Sequence, residues 1–336
     1  MKNLLYIGNK LSQKGKTVTT IDTLSNLLAQ EGFSVKAVSS KKNKWLRLLH
    51  MLYSIIRYAK WIDYVLIDTY STQNFYYAYL CSKCCKLFNL KYLPILHGGN
   101  LPNRLINNPK LSRTIFKKAY LNIAPSGYIA EAFKNQGYSN IKCIPNTIEI
   151  DNYPFQEREI SKVKLLWVRS FSKLYNPKLA IDVLNHLQEN NISSSLCMVG
   201  PDNDGSLLET KNYAKSLGLE VEFTGKLSKN EWVKRSKNHN IFINTTNFDN
   251  MPISVIEAMA LGLPVISTNV GGLPYFLENN KNALLVEPNN YKLFIEAIIN
   301  LKTYKSNRLA IVKEARNTAE TYKWQSIKKL WKATLV

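Results

Sequence analysis

Short apolar strands alternating with amphipathic helices along the whole chain predict an α/β protein, and 336 residues suffice for two such domains of ordinary size. Strands such as Asn3–Gly8, Tyr64–Asp68, Val163–Val168 and Ile241–Asn244 are apolar throughout, as parallel strands covered on both faces are. Helical segments separate them, as crossovers between parallel strands require. Hydrophobic residues make up 45% of the chain and there is no low-complexity tract or internal repeat, which excludes a disordered or solenoid protein.

In order, the strand Asn3–Gly8 leads into a polar loop and a helix Val18–Gln30 ended by Gly32. The Gly15-Lys16-Thr17 triplet suggests a phosphate loop, but that motif needs a glycine where Lys10 stands, so a P-loop is rejected. Lys41–Trp61 combines a basic entry with Trp45, Leu48, Leu49, Leu52, Ile55 and Ile56 at helical spacing. Two readings fit: a helix in a membrane interface with its cations on anionic headgroups, or a sheet-covering helix with a solvated basic face. After the strand Tyr64–Asp68, Cys81, Cys84 and Cys85 read as small core residues, because no second pair lies at zinc spacing. Tyr92–Leu96 is a strand that ends in His97-Gly98-Gly99, where a functional residue would be placed. Asn122–Pro125, a helix Ser126–Gly137 and Ile141–Pro145 complete the first pattern, and Asp151–Arg158 reads as a linker. The second opens with Val163–Val168, then Ser195–Val199, Val221–Gly225 and Ile241–Asn244; two amphipathic segments follow Pro288.

The stretch Asn247–Gly272 reads as a loop, a helix over Met251–Leu261, a buried strand over Leu263–Thr268 and a Gly-Gly turn. Pro252 suits the first turn and Gly262 the position past the end. A helix N-terminus at Asn250, Met251, Pro252 and Ile253 offers unpaired N–H donors and a positive dipole end, enough to hold a diphosphate, while Gly271 and Gly272 permit close backbone approach. The alternative for Glu257 is a capping box with Ser254, in which the carboxylate only satisfies a backbone N–H.

The same stretch resembles the nucleotide-sugar site of retaining glycosyltransferases of family 4: an acidic residue, seven others, a Glu, then A-x-x-x-G-x-P-V and V-G-G. Asp249, Glu257, Ala258, Gly262, Pro264, Val265 and Val270-Gly271-Gly272 occupy those places. One departure is Asp249, where the family usually has Glu. The resemblance implies the GT-B fold, two Rossmann-like domains facing across a cleft: residues 1–153 for the acceptor, 154–315 for the nucleotide sugar, and a last helix in 316–336 crossing back onto the first domain. It implies that Arg169 and Lys173 clamp the donor diphosphate together with the amides of 250–253. It also implies that Glu257 binds the ribose, Asp249 and His97 contact the sugar as catalytic residues, Gly225 lies near the base, and Gly15 and Lys16 lie near the phosphates or acceptor. Ile144-Pro145-Asn146-Thr147 resembles the family's I-P-N-G junction. Asp202 and Asp204 form a D-x-D, a metal motif in another glycosyltransferase fold, but Asn203-Asp204-Gly205 is a turn signal and no metal or other cofactor is expected.

The formal net charge of +21 is uneven: residues 1–150 hold 21 Lys or Arg against 6 Asp or Glu, the rest 24 against 18. A basic first half invites nucleic acid, an anionic membrane surface or a phosphorylated substrate, and no nucleic-acid motif favours the first. No signal peptide or membrane-spanning helix is visible, so the expected location is the cytoplasm, with possible attachment to the inner face of the membrane, and the five cysteines are expected to be reduced. The resemblance thus implies retaining, metal-independent transfer of a sugar from a UDP- or GDP-sugar to a glycan or lipid-diphosphate-linked acceptor, as in assembly of bacterial surface polysaccharides such as capsule, O-antigen or exopolysaccharide. A sugar-nucleotide epimerase of the same fold and a non-catalytic sugar-nucleotide-binding scaffold are the alternatives.

Overall fold

The computed structural model describes residues 1–11 and 19–336, so the expectations placed on Gly15 and Lys16 lie outside the described residues. The strands form two separate sheets of six. The first holds β1 (Asn3–Ile7), β2 (Ser34–Val38), β3 (Tyr64–Thr69), β4 (Lys91–Leu96), β5 (Asn122–Ala124) and β6 (Ile141–Cys143), in the order β2-β1-β3-β4-β5-β6. The second holds β7 (Val163–Val168), β8 (Ser194–Val199), β9 (Glu222–Gly225), β10 (Ile241–Asn244), β11 (Val265–Thr268) and β12 (Leu284–Val286), in the order β12-β11-β10-β7-β8-β9. All pairings are parallel. Counted within its own half, the second order is 3-2-1-4-5-6, that of a dinucleotide-binding sheet, and the first is the flavodoxin-like variant with one added strand.

The helices between the first strands are α1 (Thr20–Gln30), α2 (Lys44–Tyr58), α3 (Phe75–Leu87), α4 (Leu101–Asn107), α5 (Pro109–Phe116) and α6 (Gly127–Asn135). Those of the second are α7 (Pro177–Glu189), α8 (Ser206–Ser216), α9 (Lys229–Ser236), α10 (Ile253–Ala260), α11 (Tyr291–Thr303) and α12 (Lys305–Glu320), and α13 (Trp324–Lys332) follows. Because side chains alternate across a strand, each sheet feeds two cores. In the first, Leu5, Ile7, Val65 and Ile67 face α2 and α3, while Leu4, Tyr6 and Leu66 pack with Ile21, Leu24, Ile327 and Trp331. Cys81 and Cys85 are buried in the former core, where burial pushes their thiols up.

The chain divides into two units, Met1–Thr147 with Trp324–Val336, and Ile148–Lys323. The boundary expected after residue 153 falls at 147 instead, and the return expected at 316 comes at Trp324. The reason for the second shift is that Lys305–Glu320 is one unbroken helix whose Ile311, Ala315 and Ala319 are buried in the second unit's cores.

Helix α2 covers the sheet with one face, as one of its two readings expects, and leaves apolar residues on the other. Leu48, Met51 and Ile55 are buried against the sheet, whereas Trp45 (76% exposed), Leu46, Leu49 (61%), Tyr53 and Ile56 (53%) face outward. At 100° per residue these five fall within one narrow stripe, and Lys41, Lys42, Lys44, Arg57 and Lys60 are exposed around it. The outward face is therefore apolar with a basic rim. No helix of the described residues is long and apolar enough to cross a membrane.

Glu31 ties α1 to α13: its carboxylate accepts from Lys328 at 3.0 Å, Lys332 at 2.6 Å and the Trp324 indole at 3.2 Å. Lys332 first, then Lys328, holds its pKa down from 4.5 to about 2. A carboxylate depressed on folding contributes stability above its ordinary value and loses it on acidification. Between pH 4.5 and about 2, Tm of the wild type should therefore fall more steeply than that of Glu31→Gln, as differential scanning calorimetry across that range would show.

Candidate functional site

In an open parallel sheet, a crevice lies at the carboxyl ends of the strands where the strand order reverses. In the second unit that place is between β7 and β10, and the residues that follow these strands are Arg169 and the loop 245–252. Arg169 donates through Nη2 to Asp249 Oδ2, stacks its guanidinium 4.3 Å above the Tyr175 ring, and keeps a buried Nε with no partner among the described residues. Burial lowers its pKa. The loop that carries Asp249 is fixed from below: the Trp167 indole donates to Thr245 Oγ1 (3.0 Å), Thr268 Oγ1 to the Thr246 carbonyl (2.6 Å), and the Asn247 N–H to the Leu174 carbonyl (2.8 Å).

Gly271 and Gly272 prove to serve the chain's own backbone. The Gly272 N–H donates to the Asp249 carbonyl at 2.8 Å, and an added Cβ would lie 2.2 Å from the Asp249 oxygen at position 271 and 2.0 Å from the Asn250 oxygen at 272. The close approach that sequence reading assigned to a ligand is thus made by the turn after β11 against the site loop.

Helix α10 starts at Ile253, with Pro252 as its cap and no side chain capping it. Ser254 consequently lies inside the first turn, its Oγ buried and without a partner among the described residues. The capping-box reading of Glu257 is set aside by its actual partners. Its buried carboxylate accepts from the Tyr153 hydroxyl at 2.6 Å and from the Lys229 ammonium. Burial first, then Glu257, pushes the Tyr153 phenol far up, so it remains a donor. Met251 and Pro252 are buried, Asn250 is half-buried, and the Asn250 N–H donates to Asp249 Oδ1 at 2.9 Å.

Other expected residues stand apart. Lys173 is 73% exposed with its ammonium 3.5 Å from Glu209, and its N–H donates to Asp204 at 3.0 Å. Gly225 closes β9 at φ 70° and accepts from the Gly200 N–H at 2.9 Å. Asp202 and Asp204 use their carboxylates on Gly205, Ser206 and Leu207 just after them and on Ser172 and Lys173 of the turn after β7.

The first unit presents a second grouping at its own strand ends. His97, after β4, sets Nε2 2.8 Å from Asp68 Oδ1 of β3, and the Tyr6 hydroxyl of β1 donates to the same oxygen at 2.9 Å. The His97 and Asp68 side chains are 6% and 1% exposed, so the imidazole is not a solvated surface group. Asp68 Oδ2 is buried next to Gly8 and has no hydrogen-bond partner among the described residues. Sequence reading found His97 but missed Asp68, Tyr6, Tyr153 and Lys229. For Asp68 a signal exists, a carboxylate closing an otherwise apolar strand; for the other three none does.

With this geometry in place, similarity to known proteins becomes informative. Residues 150–318 match the family described as Glycosyl transferases group 1, half of the chain. The chain belongs to that family. Among family relatives, an Escherichia coli UDP-Gal:alpha-D-GlcNAc-diphosphoundecaprenol alpha-1,3-galactosyltransferase is 25% identical over 47% of this chain and 44% of its own length. The putative colanic acid biosynthesis glycosyltransferase WcaL of Escherichia coli K12 is 22% identical over 68% of this chain and 60% of its own. The chain thus spans about half the length of these curated relatives. Crystal structures of Anabaena HepE, with UDP and glucose and with UDP-glucose, align at TM-scores of 0.78 and 0.79 and 17% identity, covering 100% of this chain and 99% of that one. At that identity the likeness shows the fold, which is GT-B.

Gly271→Ala tests the backbone role of the Gly-Gly turn. A φ of 56° and the contact with the Asp249 carbonyl should together destabilise the protein by more than about 1 kcal/mol, seen as a lower urea midpoint at unchanged slope.

Proposed function

We propose that this group 1 glycosyltransferase is a retaining, metal-independent enzyme that moves a sugar from a nucleoside diphosphate sugar, UDP-linked in the first instance, to a glycan or lipid-diphosphate-linked acceptor in bacterial surface-polysaccharide assembly. The observation that carries the reading is the triple of Arg169, the uncapped start of α10 with its unpartnered Ser254 hydroxyl, and buried Glu257. A guanidinium and a helix N-terminus suit a diphosphate, and a buried carboxylate suits the ribose hydroxyls. HepE binding UDP and glucose, and the UDP-Gal and diphosphoundecaprenol in the galactosyltransferase name, support the choice of donor and acceptor class.

In this reading the diphosphate competes with Asp249 for Arg169, freeing the Asp249 carboxylate for the donor sugar. Lys173 is a second cation whose pairing with Glu209 the diphosphate must displace. Gly225 flanks the base, and His97, its tautomer set by Asp68, contacts the sugar. The anomeric C–O bond to phosphate breaks while the acceptor oxygen attacks the same face, and the leaving phosphate takes the acceptor proton. Arg169 and the α10 amides stabilise the charge that develops on that phosphate. Trapping a glycosyl adduct on Asp249 would overturn this scheme in favour of a covalent one.

Attachment to the inner membrane face belongs to the same reading, since a lipid-linked acceptor is presented there. The outward stripe of α2 matches an anionic lipid surface, with apolar side chains to enter the interface and lysines to meet the headgroups.

Two measurements test these roles. Isothermal titration with UDP-, GDP- and ADP-sugars should give selective binding by the wild type that weakens by about 1.5–3 kcal/mol in Glu257→Gln. A folded wild type that binds none of them would favour the scaffold alternative. In cosedimentation, the wild type should bind phosphatidylglycerol vesicles, less at high salt, and Leu49→Glu with Ile56→Glu should abolish it; binding insensitive to salt would count against the electrostatic mode.

A further inference from the structure

The grouping of Cys197, Glu222 and His239 lies outside the residues discussed above. Among the described residues these three form a group whose ligand atoms, a thiol sulfur, a carboxylate oxygen and an imidazole nitrogen, all lie within 4.8 Å of one another. Cys197 of β8 and Glu222 of β9 are paired in register, so their side chains leave the sheet on the same face. His239 comes from the turn between α9 and β10, its N–H tied back to the Ser236 carbonyl at 3.1 Å. Thiol and imidazole are buried, and the carboxylate is exposed at the mouth of the group.

We propose that Cys197, Glu222 and His239 form a binding site for a zinc-class divalent ion. Sulfur, nitrogen and oxygen donors together select zinc or cobalt over magnesium or calcium. The surroundings are those a metal site needs. His239 Nδ1–H donates to the Arg235 carbonyl at 2.9 Å, which fixes the tautomer and leaves the lone pair on Nε2. Arg235 Nη1 also holds Glu222 Oε1 at 2.7 Å, leaving the second carboxylate oxygen to the ion. One residue, Arg235, thereby orients two of the three ligands. On binding, the thiol releases its proton to solvent, and water from the exposed side completes a tetrahedral set. The ion would be structural. It would join β8, β9 and the end of α9, and so brace the elements that carry Gly225 and, at the start of α9, Lys229.

The test is cobalt(II) titration of the metal-stripped full chain, followed by absorption in the near ultraviolet, where only a thiolate ligand gives charge transfer to the metal. The expected result is a band that saturates at about one ion per chain, is displaced by zinc, and is lost in Cys197→Ser while the band-free variant remains folded by circular dichroism. Should Cys197→Ser fail to fold, Glu222→Gln, at an exposed position, still reports: its cobalt affinity should fall at least about tenfold. Zinc should also raise Tm of the wild type but not of Glu222→Gln. No band from folded wild type, or a band unchanged in both variants, would overturn the proposal; the second result would place the thiolate at another cysteine.

Discussion

In each parallel sheet the order of strands reverses once, and that reversal decides where chemistry can occur. Connections on either side of β7 and β10 depart in opposite directions, so the carboxyl ends of these two strands are left uncovered by crossover helices. Arg169 emerges from one and the Asp249 loop from the other, and their meeting in an ion pair is a product of topology before it is a product of sequence. The same logic places Tyr6, Asp68 and His97 together in the first unit, on β1, on β3 and just after β4. Neither grouping needs a catalytic motif contiguous in sequence.

Buried carboxylates supply the second organising constraint. Glu257 and Asp68 lie in largely apolar surroundings, where an unpaired charge is costly. Glu257 is compensated by Tyr153 and Lys229, which reach it from distant parts of the chain. Asp68 is compensated on one oxygen by Tyr6 and His97, and its other oxygen has no partner among the described residues. Such partly satisfied groups are rare in native interiors, and they concentrate where a ligand completes the set.

The division into two α/β halves was legible because the central strands are continuous apolar runs, and the Asn247–Gly272 stretch was legible because its glycines, proline and acidic residues are densely spaced. What escaped has physical causes. Ser34–Val38 is an edge strand with a half-buried, mixed pattern containing Lys36, and Leu284–Val286 is too short to show periodicity. The turn that follows β7 places Lys173 beside Glu209, and Lys229, far along the chain, is the lysine found at Glu257, a pairing that no local spacing announces. The partners of Glu257 and Asp68 are set by side chains that meet only after folding, and no spacing rule encodes such meetings. Conversely, the sheet-covering role of α2 was legible, and its sequence, with apolar residues on opposite sides, also showed that one face would be left to spare.

The placement of α13 bears on how the protein is made. Ile327, Trp331 and Leu335 complete the core that Leu4, Tyr6 and Leu66 begin, and the Tyr64 hydroxyl donates to the Val336 carbonyl at 2.6 Å. During vectorial synthesis the first unit's 1–147 segment is made before Ile148–Lys323 but lacks its closing helix until Trp324–Val336 is translated, whereas Ile148–Lys323 is contiguous and can close on itself. The unit begun before the other is thus completed after it, and its open apolar face must be kept from other chains for the whole time Ile148–Lys323 takes to appear.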